Sequence, residues 1–148
     1  MRDTADQGPV VSRAAEQVAD FHRIYGLPHR LHPSADVGAG QAALRQALID
    51  EEVGELREAA AALDIVEIAD ALADIVYVAY GTAHVYGIDL DAVISEVHRS
   101  NMTKLDADGN PLRRADGKIL KGPGYEPPNV AKILGLTADS ASAAGEKD

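Results

Sequence analysis

The chain has 148 residues and no cysteine, which is the length of one domain and excludes disulfide scaffolds, thiol catalysis and cysteine-ligated zinc. Fourteen Lys and Arg against 24 Asp and Glu give a formal net charge of −10, so the chain repels the phosphate backbone of nucleic acids. No window approaches the ~20 apolar residues that span a bilayer, and no apolar run follows the first charged residues. We therefore expect a cytoplasmic protein that binds neither nucleic acid nor membrane.

The chain begins with a polar stretch, residues 1–12, which we predict to be a flexible arm. Apolar residues at spacings of three and four then predict a first helix from about Ser12 to Tyr25, which Gly26 ends. Prolines and glycines make residues 27–40 a loop.

Two long helices follow. The first runs from about residue 41 to 63 and the second, the most apolar part of the chain, from 65 to 86. Asp64 between them is a candidate N-cap, and Gly87 is placed to end the second as a left-handed residue. With one Phe and no Trp, the core has to be built from Ala, Leu, Ile and Val, which favours closely packed helices.

A fourth long helix is predicted from Asp89 or Asp91 to about Lys104. Turn residues then predict an irregular or hairpin segment that includes 112–120, a short helix near 129–134 and a disordered tail at 137–148. The prediction is an all-α fold: a four-helix bundle within a single domain, residues 13–136, with a short irregular or hairpin segment after the fourth long helix.

Carboxylates cluster on the second helix. Glu52 and Glu55 are three residues apart and Glu51 and Glu55 four apart, so both pairs are neighbours on the helix surface. In so acidic a chain, a solvated helix face is the alternative interpretation of this run.

A second set of acids interrupts the apolar third helix. At 100° per residue, Glu67, Asp70 and Asp74 fall within about 60° of one another. Like charges on one face repel, and an apolar surrounding adds a desolvation cost. If the two helices are antiparallel neighbours, the two sets meet, and oxygen-only ligands suit Mg²⁺ or Mn²⁺. Together the sets predict a divalent-metal site.

The arrangement resembles the MazG-like all-α nucleoside triphosphate pyrophosphohydrolases, a superfamily that includes the phosphoribosyl-ATP pyrophosphohydrolases and dimeric deoxyuridine triphosphatases. Its first motif is matched by Glu51-Glu52-x-x-Glu55 and the end of its second by Asp74-Ile75-Val76-Tyr77. The similarity covers about residues 14 to 130 and includes these further segments: Phe21-His22, Leu44 to Glu55, Tyr77 to Gly81, His98 to Lys104, Ala115 to Lys118, and Gly124-Tyr125-x-Pro127.

One position departs from the family pattern. The second motif reads Glu-x-x-Asp, and aligning its last residue on Asp74 puts Ala71 where the Glu belongs. Either Asp70 or Glu67 supplies the missing carboxylate from the same face, or the motif is shifted to Glu67-x-x-Asp70. We favour the first, because the residues that follow Asp74 match.

The resemblance implies Mg²⁺-dependent hydrolysis of a nucleoside triphosphate between its α and β phosphates, with Mn²⁺ able to substitute. It implies Glu52, Glu55, Asp70 and Asp74 as metal ligands, Glu67 as a possible additional carboxylate, and Glu51 as the group that orients or deprotonates the attacking water. The expected role is removal of unwanted nucleotides, such as deoxyuridine triphosphate. Phosphoribosyl-ATP hydrolysis and a non-catalytic nucleotide-sensing dimer are the alternatives.

Positive and aromatic groups are candidates for holding the substrate. Asn101 and Lys104 share a helix face and by resemblance contact phosphate, sugar or base, although Lys104 also suits a helix C-terminus on charge alone. Tyr80 can stack on a base, but we favour a core position. The remaining candidates are basic residues of the irregular segment, which either close over the phosphates as a lid or only keep the loop soluble: Arg113, Arg114, Lys118 and Lys121. Finally, the apolar third helix and the resemblance imply a homodimer or a dimer of dimers.

Overall fold

The computed structural model describes residues 11–136 and consists of α-helices and irregular segments. The helices are α1 (Arg13–Ile24), α2 (Ala39–Ala62), α3 (Ile65–Tyr86), α4 (Leu90–Asn101) and α5 (Val130–Ile133). Among the described residues, β-pairing is confined to two isolated antiparallel bridges, Leu105 with Pro111 and Arg113 with Ile119. The all-α prediction is confirmed; the proposed tail and most of the arm lie outside the described residues.

Two compact units divide the chain, Met1–Leu90 and Asp91–Asp148. In the first, α3 packs against both α1 and α2. The buried side chains of Ala15, Val18 and Tyr80 form the core between α1 and α3. The single domain expected over residues 13–136 stays a prediction.

The connection between α2 and α3 is two residues long, and this shortness makes the two helices antiparallel neighbours. Leu63 ends α2 in the left-handed conformation at φ 57°. Asp64 is the N-cap of α3, as predicted, and its side chain accepts hydrogen bonds from the backbone N–H groups of Val66 and Glu67. The acids of α2 therefore face those of α3 across one seam.

The far end of α3 is held by the loop that follows α1. Gly87 ends the helix at φ 73°, as predicted, and a Cβ there would lie 2.1 Å from the carbonyl oxygen of His32. In this loop, the backbone N–H of Arg30 donates a hydrogen bond to the carbonyl oxygen of His84. The backbone N–H of Ser34 donates one to the carbonyl oxygen of Tyr86. These bonds satisfy carbonyls that a helix C-terminus leaves without partners.

The second unit is organised around the end of α4. Ser100 is buried there, and its hydroxyl donates to the carbonyl oxygen of Glu126 at 2.7 Å. Arg99 bonds both carboxylate oxygens of Glu96 and one of Glu126, each at 2.9 Å. These contacts fix the segment before α5 against α4, so the unit is ordered although it has little regular structure.

Candidate metal and phosphate site

The seam between α2 and α3 brings most of the predicted carboxylates together around Glu52. The negative charges that act on Glu52 are, in decreasing order, those of Asp74, Glu55, Glu51 and Asp70. Both helices thus contribute, as the spacing of the acids predicts for an antiparallel pair.

Glu52 is in an unfavourable environment for a carboxylate. The residue is half-buried, and its Oε2 atom is sealed from solvent without a hydrogen-bond partner among the described residues. Burial raises the pKa of the Glu52 carboxyl above its usual range, and the neighbouring carboxylates raise that pKa further. An orphaned, buried oxygen among like charges is the kind of group that a cation stabilises.

The other acids of the cluster are more accessible. Asp74 is half-buried, whereas Glu51, Glu55 and Asp70 are exposed. Ala71, at the position where the second motif has a carboxylate, is only 2% exposed. The interior face of α3 therefore carries a methyl group at that point, and Asp70 stands beside it on the exposed side.

Glu67 does not join the charges that act on Glu52. It lines an open cavity of about 400 Å³ at the end of the α2–α3 pair, together with Glu55, Glu58 and Asp64. Of the two carboxylates proposed to replace the missing motif residue, Asp70 is the one whose charge contributes to the raised pKa of Glu52.

In residues 11–136, no group of three or more acidic, histidine or cysteine side chains stands in an arrangement ready to hold a metal ion. The donor set around Glu52 nonetheless fits a hard cation, since it consists of carboxylate oxygens and one of them, Glu52 Oε2, has no hydrogen-bond partner in the described part of the chain. Ligation by this set stays a prediction.

The predicted substrate residues beyond α3 belong to the second unit. Asn101 is the exposed last residue of α4, and Lys104 is half-buried three residues later. The side chains of Arg113 and Lys118 are exposed, and the ammonium of Lys121 lies 4.6 Å from the ring centre of Tyr125. Their roles toward a substrate stay predictions.

Tyr80 belongs to the first unit and is 8% exposed in the core with Ala15 and Val18. The hydroxyl of Ser12 lies 3.3 Å from the Tyr80 hydroxyl. The position agrees with the core interpretation, and stacking on a base stays a prediction.

Two residues of the α2–α3 seam were given no role by the sequence analysis, Arg45 on α2 and Gly81 on α3. Arg45 is 7% exposed, and a Cβ on Gly81 would lie 2.6 Å from Arg45 Nη2. The available signal was spacing: Arg45 lies seven residues before Glu52 and therefore on the same helix face.

No helix in the part of the chain that the structure describes is long and apolar enough to cross a membrane.

The chain is 36% identical over 99 residues to the protein called "Uncharacterized protein L479" of Acanthamoeba polyphaga mimivirus. The match takes in 65% of this chain but only 37% of the viral protein.

Residues 18–101 match the sequence profile of the family described as phosphoribosyl-ATP pyrophosphohydrolase. This range includes α2, α3 and every carboxylate that acts on Glu52. The match extends over more than half of the chain and agrees with the all-α fold. The chain therefore belongs to the phosphoribosyl-ATP pyrophosphohydrolase family, within the MazG-like superfamily.

Proposed function

We propose that the protein hydrolyses a nucleoside triphosphate between its α and β phosphates, giving a nucleoside monophosphate and pyrophosphate. The observation that carries the proposal is the orphaned, buried Oε2 of Glu52 among carboxylates from two antiparallel helices. Membership of a pyrophosphohydrolase family supports the reaction class.

The carboxylates have separate roles in this proposal. Glu52, Glu55, Asp70 and Asp74 hold Mg²⁺, for which Mn²⁺ can substitute. When bound, the ion supplies neutralisation of phosphate charge and activation of water. Glu51 orients the attacking water and accepts one of its protons. The water oxygen forms a new bond to one of the two bridged phosphorus atoms as the bridging P–O bond between the α and β phosphates breaks, which releases the nucleoside monophosphate and pyrophosphate.

Residues of the second unit are proposed to bind the substrate. Asn101 and Lys104 contact phosphate, sugar or base, and the basic side chains of Arg113, Lys118 and Lys121 offset phosphate charge in an otherwise acidic protein. Tyr80 contributes at most indirectly, since its ring is in the core.

Deoxyuridine triphosphate or another non-standard deoxynucleotide is the proposed substrate, which makes the protein a scavenger of unwanted nucleotides. Phosphoribosyl-ATP is the second candidate and is favoured by the description of the matched family. A non-catalytic, nucleotide-sensing dimer is the third. It is favoured by Ala71, which leaves the second motif one carboxylate short.

We also propose that the functional form is a homodimer. Large apolar side chains on the α2–α3 pair remain exposed in the single chain, among them Leu72 at 49%, Val76 at 48% and Val53 at 40%. Apolar patches of this kind are typical of protein interfaces. Sedimentation equilibrium measures the assembly directly, and a monomer at micromolar concentration would contradict the dimer.

The decisive experiment incubates the protein with Mg²⁺ or Mn²⁺ and a panel of nucleoside triphosphates and phosphoribosyl-ATP, with products separated chromatographically. We expect a nucleoside monophosphate and pyrophosphate from one class of substrate. A diphosphate with inorganic phosphate would exclude the proposed bond, and binding of a non-hydrolysable triphosphate without turnover would support the sensor.

Site variants test the residue assignments. Glu52→Gln and Asp74→Asn are expected to lower pyrophosphate release about 100-fold or more while the protein stays folded. Glu58→Gln is the matched control, because Glu58 is an exposed acid of α2 that does not act on Glu52. Equal turnover by the Glu52 variant and the control would refute the assignment.

A further inference from the structure

Arg45 is a cation buried in the seam between α2 and α3. Its residue is 7% exposed, and the structure shows no ion pair to it within the described residues. Burying a charge in this way is unfavourable, and an apolar side chain of similar volume often stabilises a core as well or better. The presence of Arg45 therefore calls for a reason other than stability.

Both hydrogen bonds of the guanidinium cross from α2 to α3. Nε donates to the hydroxyl of Thr82 at 3.1 Å, and Nη2 donates to the carbonyl oxygen of Val78 at 3.1 Å. A hydrogen bond weakens steeply when its angle departs from linear, whereas apolar contacts have no such directional requirement. Sliding α2 along α3 would break both bonds at once.

The surroundings leave the guanidinium little freedom. A Cβ on Gly81 would lie 2.6 Å from Arg45 Nη2 and 2.9 Å from His22 Nε2, so the backbone of α3 closes directly over both side chains. The buried His22 is itself fixed, because its Nδ1 lies 2.8 Å from the carbonyl oxygen of Pro28. Arg45 is thus held between α1 and α3.

The same seam contains the carboxylates. Arg45 and Glu52 are seven residues apart on one face of α2, which is about 10 Å along the axis. Val78 and Thr82 follow Asp74 by one and two helical turns. In an antiparallel pair, the contacts of Arg45 therefore lie on the same seam, one to two helical turns from the meeting point of Glu52 and Asp74.

We propose that Arg45 is a positioning residue: its two bonds to α3 set the register of α2 against α3 and so hold Glu52 beside Asp74. The catalytic consequence rests on the function proposed above, but the positioning does not. Arg45 acts through these carboxylates and without contact to the substrate.

The test compares Arg45→Met, Arg45→Lys and Thr82→Val with a destabilised control, Val85→Ala, whose side chain is fully buried in α3. We expect Arg45→Met to weaken Mn²⁺ binding about 10-fold or more and to lower kcat about 10- to 100-fold, with a smaller change in KM. Arg45→Lys and Thr82→Val each retain part of the contact and should show intermediate losses. Val85→Ala should lower the thermal midpoint but keep Mn²⁺ affinity and kcat.

Wild-type Mn²⁺ affinity and kcat in both Arg45→Met and Thr82→Val would overturn the proposal. If the wild-type protein releases no pyrophosphate, the proposed function fails, and Mn²⁺ titration still tests Arg45.

A measurement without metal tests the proposal if the wild-type protein binds no Mn²⁺. Glu52→Gln should raise the thermal midpoint of the wild type, since it removes an orphaned charge, and should raise it less in the Arg45→Met or Thr82→Val background. Additive shifts in both backgrounds would show that Arg45 does not hold Glu52 in place, and would overturn the proposal.

Discussion

Gly81 offers a sharp test of how closely the helices approach, because the same substitution elsewhere should have the opposite effect. A Cβ at Gly81 would meet Arg45 Nη2 at 2.6 Å and His22 Nε2 at 2.9 Å. Both atoms end side chains that are buried and hydrogen-bonded, so neither has space to move away. We expect Gly81→Ala to displace the guanidinium from the carbonyl of Val78.

The magnitude follows from two opposing effects. Loss of a buried hydrogen bond from a charged group costs about 1.5–3 kcal/mol, and replacing Gly by Ala inside a helix returns about 0.5–1 kcal/mol. The net loss in the free energy of unfolding is about 0.5–2.5 kcal/mol. For a chain of this length that lowers the thermal midpoint by roughly 1–10 °C.

Gly54 in α2 provides the control, since a Cβ there has nothing within 4 Å. Gly54→Ala should therefore gain the full helix-propensity benefit of about 0.5–1 kcal/mol. Thermal unfolding followed by far-UV circular dichroism, at one fixed protein concentration, compares the two variants. Equal or greater stability of Gly81→Ala relative to the wild type would refute the close packing of α3 on Arg45.

Three further predictions concern other parts of the structure. Leu63 is 87% exposed in the left-handed conformation, so Leu63→Gly should raise the free energy of unfolding by about 0.5 kcal/mol, and a lower thermal midpoint would contradict this. Asp64→Ala removes the N-cap of α3 and should cost about 0.5–2 kcal/mol in a urea titration, whereas Asp64→Asn, which keeps the cap, should cost much less. Hydrogen bonds from Arg99 and from the backbone N–H of Asn129 lower the pKa of Glu96 from 4.5 to about 2. Because the folded-state pKa is the lower one, Glu96 stabilises the fold above about pH 4.5 and loses that effect as the pH falls toward 2; thermal midpoints of the wild type and Glu96→Gln should converge over that interval, and parallel curves would contradict the assignment.

The helix boundaries show where local sequence is sufficient. Asp64 and Gly87 mark the two ends of α3 as predicted, because capping depends on a few adjacent residues. The end of α4 was predicted near Lys104, but the helix stops at Asn101. Beyond it, the N–H groups of Thr103 and Lys104 bond three residues back, to the carbonyls of Ser100 and Asn101, and Thr103 is bonded to Glu126. That contact between distant parts of the chain has no local signal.

In the candidate site too, local sequence predicted some features and the packing of the helices decided the others. The spacing of Glu52 and Glu55 on one helix and of Asp70 and Asp74 on the next predicted two acidic faces, and a two-residue connection made those faces meet. Whether Glu67 or Asp70 stands nearer to Glu52 was left open by the spacing, since both share the face of Asp74 within about 60°. The answer depends on the rotation of α3 against α2.

The sequence by itself determined the helices, their order and the acidic faces, because helical periodicity and caps are properties of residues within a few positions of one another. Only the tertiary structure decided that Glu52 Oε2 finds no hydrogen-bond partner within residues 11–136, that Arg45 is buried and that Gly81 has no room for a side chain. Each of these depends on how closely two helices approach and in which register, and that distance is set by all of the packed side chains together.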